Sequence, residues 1–146
     1  MAIQHRGVID RLEVSIFDIN PSKIVLMIGT NDVNFGVSNS QIIENYINIL
    51  DRIKARLPEA ELYFMSLIPQ NKDLVLLVDF NNQRIEKLNS EIKSLAESYG
   101  YAYIDLNTYV GDDLGYLDRQ YSDDGLHLND AGYRIWTNLL KLYLYH

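Results

Sequence analysis

The chain has 146 residues, of which 47% are hydrophobic, enough for one compact core and too few for two ordinary domains. Its 20 acidic residues outnumber its 13 basic ones and give a formal charge of -7, so no basic field is available to bind a nucleic acid backbone. The absence of cysteine excludes disulfides, thiolate metal sites and a cysteine nucleophile. The composition predicts a single domain over residues 1–146 and no nucleic acid partner.

The amino-terminal segment is polar. Residues 1–11 contain no apolar run, so they resemble neither a signal peptide nor a membrane-spanning helix, and the chain as written is expected in the cytoplasm. A weaker pattern of apolar residues predicts a helix over about residues 6–18.

Three apolar runs predict strands, at residues 23–29, 61–67 and 101–105. The first is a continuous apolar run closed by a glycine, which is typical of a parallel strand covered on both faces. Apolar residues at helical spacing predict helices over residues 40–57 and 85–99, and a last helix that begins near Asn129 or Asp130.

The strands alternate with the helices, which requires crossover connections and predicts an α/β fold with a mostly parallel sheet between two helical layers. Ligands of such sheets bind beyond the carboxyl ends of the strands, so chemistry is expected just after Ile28, Leu67 and Ile104. The segment 69–80 is too apolar at its centre for a solvated loop, and is expected to be either a flap over a site or a contact surface.

Gly29, Thr30, Asn31 and Asp32 form the first candidate cluster, directly after the best predicted strand. The glycine allows a sharp turn, and Asn31 could then donate its amide N–H to a developing negative charge. A simple polar turn after a strand explains the same residues.

The second cluster extends from Ser122 to Asn129 and contains Asp124 and His127. An aspartate three residues before a histidine can orient the ring and stabilise the imidazolium, as in the lower half of a hydrolase triad. The alternative is a capping loop in which Asp124 caps locally and His127 only packs.

Together the two clusters, followed by Ala131, Gly132 and Tyr133, resemble blocks III and V of the SGNH hydrolases, or GDSL-type esterases. The resemblance implies a flavodoxin-like α/β/α sandwich in which Asn31 is an oxyanion-hole donor, His127 the general base and Asp124 its orienting carboxylate. Gly29 and Asp32 would shape the turn of block III. The implied substrate is a small-molecule or carbohydrate O-acyl ester, and no cofactor or metal is implied.

The chain departs from the family at the nucleophile. Family members begin with a strand that ends in Gly-Asp-Ser, whose serine attacks the ester, and no serine of this sequence follows Gly-Asp. The family's first strand is therefore expected to be missing, which would leave the edge of strand 23–29 to form a homodimer, to be covered by the segment before Ile16, or to cause poor solubility.

Three functions remain open from the sequence. The first is an ester hydrolase domain that lacks its serine block, and the second is a non-catalytic remnant that serves as a binding or assembly module. The third is a metal-dependent phosphoesterase with Asp32, Asp124 and His127 as ligands, for which the chain has few histidines.

Overall fold

The computed structural model describes residues 2–3 and 22–144, and leaves the side chains of Ala2, Ile3, Thr30 and Asn31 outside that description. In chain order the elements are β1 (Ala2–Ile3), β2 (Lys23–Leu26), α1 (Thr30–Asn34), α2 (Asn39–Arg56), β3 (Glu61–Met65), α3 (Val78–Tyr99), β4 (Ala102–Ile104), α4 (Leu106–Val110), a 3-10 turn (Arg119–Tyr121) and α5 (Asp130–Leu144). The helix predicted over residues 6–18 lies outside the described residues.

The described strands form one sheet in the order β1-β2-β3-β4, and all of their pairings are parallel. Leu26 pairs with Phe64, and Phe64 in turn pairs with Tyr103, so the carboxyl ends of the three longer strands meet at one edge. The segments that follow these strands are therefore brought together, as the sequence predicts.

Helices cover both faces of the sheet. Side chains alternate along β2, so that Ile24 and Leu26 pack with α2 and α3 on one face, whereas Val25 packs with α5 on the other. All three are at most 3% exposed, which confirms that β2 is buried on both faces. The α/β/α arrangement predicted from the sequence is confirmed.

Local signals fix the helix boundaries. Ser38 caps α2 by accepting the backbone N–H of Gln41 at 3.2 Å, and Gly100 ends α3 with a left-handed φ of 76°. The Asn129 side chain accepts the N–H of Gly132 at 3.0 Å, so α5 begins where predicted. The sequence did not predict α1 or α4, which are only five residues long each.

The edge of β2 is paired in the structure. Ala2 and Ile3 pair with Val25 and Leu26, so an amino-terminal segment covers part of this edge, which is one of the three expected outcomes. Among the described residues, β1 pairs with β2 over two residues and β3 pairs with β2 over four.

Candidate active site

The first candidate cluster lies where β2 leaves the sheet. Gly29 has a φ of 117°, and a Cβ at this position would be 3.2 Å from Ile42 Cγ2 and 3.4 Å from Leu67 Cδ1. Both the left-handed conformation and the close packing therefore favour glycine. The Tyr46 hydroxyl fixes the preceding backbone, since it donates to Ile28 O at 3.0 Å and accepts from Ile28 N at 3.1 Å.

The residues after Gly29 form the short helix α1 and not an open turn. Asp32 is 4% exposed, and its backbone carbonyl accepts the N–H of Val37 at 2.9 Å. Asp32 is therefore buried, and its backbone stabilises the end of this segment. Asn31 lies in the first turn of α1, and its side chain is outside the described part of the structure. Its role as an oxyanion donor stays a prediction.

The second candidate cluster forms a compact pair. His127 Nδ1 lies 2.7 Å from Asp124 Oδ2, and both side chains are more than half exposed. The other carboxylate oxygen, Oδ1, accepts the backbone N–H groups of Leu126 at 2.8 Å and of His127 at 2.7 Å. The backbone of the loop thus fixes the Asp124 carboxylate, and the carboxylate in turn fixes the His127 ring.

These contacts act on the protonation of Asp124. Partial burial acts to raise the pKa of its carboxyl, but the hydrogen bonds from the His127 ring and from the backbone of His127 and Leu126 outweigh it. The pKa of Asp124 therefore lies well below its ordinary value of 3.8, and the group is an anion at neutral pH. An ionised carboxylate can only accept hydrogen bonds, so His127 Nδ1 is the atom that carries the hydrogen in this contact.

The buried hydroxyl of Ser122 stabilises the loop that carries this pair, a role that the sequence did not reveal. It is 1% exposed, and its hydroxyl donates to His127 O at 2.6 Å while it accepts the N–H of Gly125 at 2.9 Å. The polar sequence around it is that of an ordinary loop, and only the fold shows that this hydroxyl is buried.

The apolar segment after β3 contacts the loop of the pair. Residues 69–77 have no regular secondary structure, and a Cβ on Gly125 would be 2.7 Å from Leu74 Cβ and 3.1 Å from Val75 Cγ2. Beyond this contact the segment is open to solvent, with Leu76 89% and Leu77 75% exposed. Its place beside Gly125 is compatible with either expected role, a flap or a contact surface.

A groove of about 990 Å³ lies outside the two candidate clusters, along β4 between α3 and the loop before the 3-10 turn. Its lining includes Glu86, Lys93, Tyr103, Asp105 and Tyr116, and none of the predicted site residues. In residues 2–3 and 22–144, no group of three or more His, Asp or Glu side chains is placed to hold a metal ion, and Asp32, Asp124 and His127 are not such a group.

Comparison with known proteins identifies the family. The family model of the GDSL-like lipase/acylhydrolases matches residues 4–135. The chain belongs to this family. No curated protein matches the chain. The resemblance carried by the two clusters is therefore confirmed at the level of the family.

Solved structures share the fold. A protein from Streptococcus pneumonia described as a platelet activating factor is 31% identical, with a TM-score of 0.79, over 85% of this chain and 60% of its own. A GDSL-like lipase from Bacteroides thetaiotaomicron is 22% identical, with a TM-score of 0.79, over 91% of this chain and 66% of its own. A catalytic mutant of Axe2, an acetylxylan esterase from Geobacillus stearothermophilus, is 17% identical, with a TM-score of 0.76, over 94% and 65%.

The chain thus spans between 60% and 66% of the length of these three proteins. None of its described helices combines the length and the apolar content that crossing a membrane requires.

Proposed function

We propose that this chain is a single SGNH hydrolase-like domain that contributes the base and the orienting carboxylate of an O-acyl ester hydrolase. His127 is the general base, Asp124 orients it, and Asn31 donates to the oxyanion. The observation that carries this proposal is the 2.7 Å contact between His127 Nδ1 and Asp124 Oδ2. Membership of the GDSL-like lipase/acylhydrolase family supports an acyl ester as the substrate.

The pair has the proton arrangement that ester cleavage needs. With Nδ1–H donated to Asp124, the Nε2 lone pair of His127 is available to take the proton of an attacking hydroxyl or water. As the tetrahedral intermediate collapses, the same nitrogen returns the proton to the departing alkoxide. The carbonyl oxygen carries the negative charge in between, and an amide donor such as Asn31 would stabilise it.

The nucleophile is the part that this sequence does not supply. No Gly-Asp-Ser occurs in it, and the buried hydroxyl of Ser66 is used to accept the N–H of Asn107 at 2.8 Å. In the Geobacillus esterase, one catalytic mutant replaces a serine by alanine. Without such a serine, attack by water that His127 activates is expected to be several orders of magnitude slower than in a complete triad, and too slow to detect above the background hydrolysis of the ester.

A chimera tests the proposal. A family member's Gly-Asp-Ser segment, joined ahead of Met1, should give a protein that hydrolyses p-nitrophenyl acetate, because it adds the nucleophile to a base that is already oriented. The matched control carries Gly-Asp-Ala in the added segment, and a second variant carries His127→Ala. Turnover that needs both the serine and His127 supports the proposal, and a folded chimera whose turnover ignores His127 contradicts it.

The base can also be tested in the chain alone. Nitrogen-15 NMR of the ring should show the Nδ1–H tautomer in the native chain. In Asp124→Asn the carboxamide N–H can donate to Nδ1, so the proton should move to Nε2. A native ring that is already protonated on Nε2 when neutral would contradict the assignment of roles.

The alternative role is a binding or assembly module. In the described residues β1 pairs with Val25 and Leu26, and a strand from a second copy that paired with the rest of this edge of β2 would produce a homodimer. Light scattering would then give twice the 16.9 kDa of one chain, with Ile24 exchanging its amide proton faster on dilution. A monomer at all concentrations would exclude this dimer.

A further inference from the structure

We propose that Gln70 and Asn71 are positioning residues that hold helix α1 and the Asp124–His127 loop at a fixed separation. This role rests on the proposed function, which gives both segments a part in one reaction. The two amide side chains are consecutive in the loop that leaves β3, and they are 1% and 4% exposed. Buried amides need hydrogen-bond partners. The Gln70 side chain binds α1 directly, whereas the Asn71 side chain binds Leu117 O and the N–H of Asp73, and so holds in place the Asn71 backbone N–H that binds the loop of the pair.

Gln70 binds the segment that carries the oxyanion candidate. Its Nε2 donates to Asn34 Oδ1 at 2.7 Å, and Asn34 is the last residue of α1. Its Oε1 accepts from Asn81 Nδ2 at 2.9 Å, in the first turn of α3. One side chain therefore connects α1 to the long helix that packs on the sheet.

The main chain of Gln70 is fixed by a second amide. Asn82 Oδ1 accepts the N–H of Gln70 at 2.7 Å, and Asn82 Nδ2 donates to Gln70 O at 3.1 Å. The same carbonyl accepts the N–H of Leu117 at 3.1 Å. Because both backbone groups and both side-chain atoms are engaged, Gln70 cannot shift without breaking several hydrogen bonds.

Asn71 binds the loop of the catalytic pair. Its backbone N–H donates to Gly125 O at 3.0 Å, and Gly125 lies between Asp124 and His127 in the chain. Its Nδ2 donates to Leu117 O at 2.7 Å, and its Oδ1 accepts the N–H of Asp73 at 2.9 Å, which fixes the turn that leads to the Leu74–Gly125 contact.

The two amides thus form a short connection between segments that are more than 90 positions apart in the sequence. The base takes the proton of the group that attacks the ester carbonyl, and the oxyanion donor binds the oxygen of that carbonyl, so both must be placed around one ester. A misplacement of about 1 Å can cost on the order of a hundredfold in rate. A rigid connection through Gln70 and Asn71 would prevent that misplacement.

The test replaces each amide by an apolar side chain of similar volume, Gln70→Met and Asn71→Leu. The matched control is Asn89→Leu. Asn89 is 8% exposed and also makes two backbone hydrogen bonds, from Leu67 N at 2.8 Å and to Leu67 O at 2.9 Å, at the end of β3. It therefore reports the general cost of removing a buried amide from this region.

Asn71→Leu should loosen the loop of the pair. The variant keeps the backbone bond to Gly125 O but removes the side-chain bonds to Leu117 O and Asp73 N that hold this backbone in place. The amide protons of Leu126 and His127, both bound by Asp124, should therefore exchange about tenfold faster than in the control. The ring resonances of His127 should move as well. Asn89→Leu should lower Tm comparably and leave these signals in place.

Gln70→Met should loosen the other segment. The amide protons of Val33 and Val37, which donate to Gly29 O and Asp32 O, should exchange about tenfold faster than in the control. If either variant fails to fold, Asn71→Ser and Gln70→Ser, which leave room for a bridging water, are measured in the same way and should show the same order of effects.

The positioning role is overturned if the amide variants change exchange at these sites no more than Asn89→Leu does. The measurement uses the chain without substrate, so its outcome is separate from that of the chimera. An inactive chimera together with the expected exchange changes would refute the proposed function alone, and an active chimera together with unchanged exchange would refute the positioning role alone.

Discussion

The Asp124 carboxylate holds His127 at two points, because Oδ2 contacts the ring Nδ1 and Oδ1 accepts the backbone N–H of the same residue, each at 2.7 Å. The carboxylate is therefore part of the folded structure of the loop as well as a partner of the ring. Replacing it should change the stability of the loop as well as its chemistry.

The pH dependence of stability should report this carboxylate. The pKa of Asp124 is lowered in the folded state, so its contribution is fully present above the unfolded value of 3.8 and is lost as the pH falls below it towards the folded value. Asp124→Asn should thus lower the free energy of unfolding at neutral pH, and the difference should shrink in acid. Urea unfolding at a series of pH values measures this difference in the free energy of unfolding. A difference that grows as the pH falls would contradict the prediction.

Ser122→Ala should destabilise the domain by about 1–3 kcal/mol, because it leaves the N–H of Gly125 buried without its acceptor and also removes the donor to the carbonyl of His127. Ser98→Ala is the control, since the Ser98 hydroxyl also donates to a carbonyl but is exposed, and it should change little. Chemical unfolding of the two variants measures both losses of stability. Equal losses would show that burial of the Ser122 hydroxyl is unimportant.

Gly125→Ala should be costlier than Gly115→Ala. Both glycines have positive φ values, 84° and 88°, so both variants carry the backbone strain of about 1–2 kcal/mol. Only at Gly125 would the new methyl group lie 2.7 Å from Leu74 Cβ, whereas nothing lies within 4 Å at Gly115. The difference in Tm isolates the contact between the apolar segment and the loop of the pair, and equal Tm values would mean that the segment moves away freely.

Leu77→Asn is expected to stabilise the chain. Leu77 is 75% exposed and has a φ of 56°, a left-handed conformation that leucine disfavours and asparagine tolerates. The gain should be roughly 0.5–1 kcal/mol, since little apolar area is lost. Leu76→Asn, at the neighbouring exposed position, is the control for added polarity, and a loss of stability in Leu77→Asn would show that Leu77 packs in a way that its exposure hides.

The sequence predicted the parts of the fold that depend on local pattern. The continuous apolar run of β2, the helical spacing of α2 and the start of α5 at Asn129 all lie within a few residues of their predicted places. Helix α3 ends at Tyr99 as predicted but begins at Val78, seven residues before the predicted start, so the end of the segment 69–80 is helical. The short helices α1 and α4 were not predicted, because five residues are too few to show a periodicity and their helical form depends on neighbouring elements.

In the candidate site, too, only the contact between residues close in sequence could be predicted. Asp124 and His127 are three residues apart, so their contact follows from one loop, and it was predicted. Gln70, Asn71 and Ser122 were missed, because polar residues in a loop are usually solvated and only the tertiary fold buries these three.

The unmodified chain is expected to be inactive on simple esters. It should hydrolyse p-nitrophenyl acetate no faster than its His127→Ala variant, because the sequence contains no Gly-Asp-Ser and an oriented base does not by itself supply a nucleophile. The hydroxyl of Ser122 donates to His127 O and not to the ring, and Ser66 is fully buried, so neither is placed to substitute for the family's serine. A fluorophosphonate probe, which labels activated serines, should leave the chain unlabelled. Rapid turnover that is lost on changing one serine, with Ser38 and Ser40 the first to test, would show instead that the site has been rebuilt around that residue.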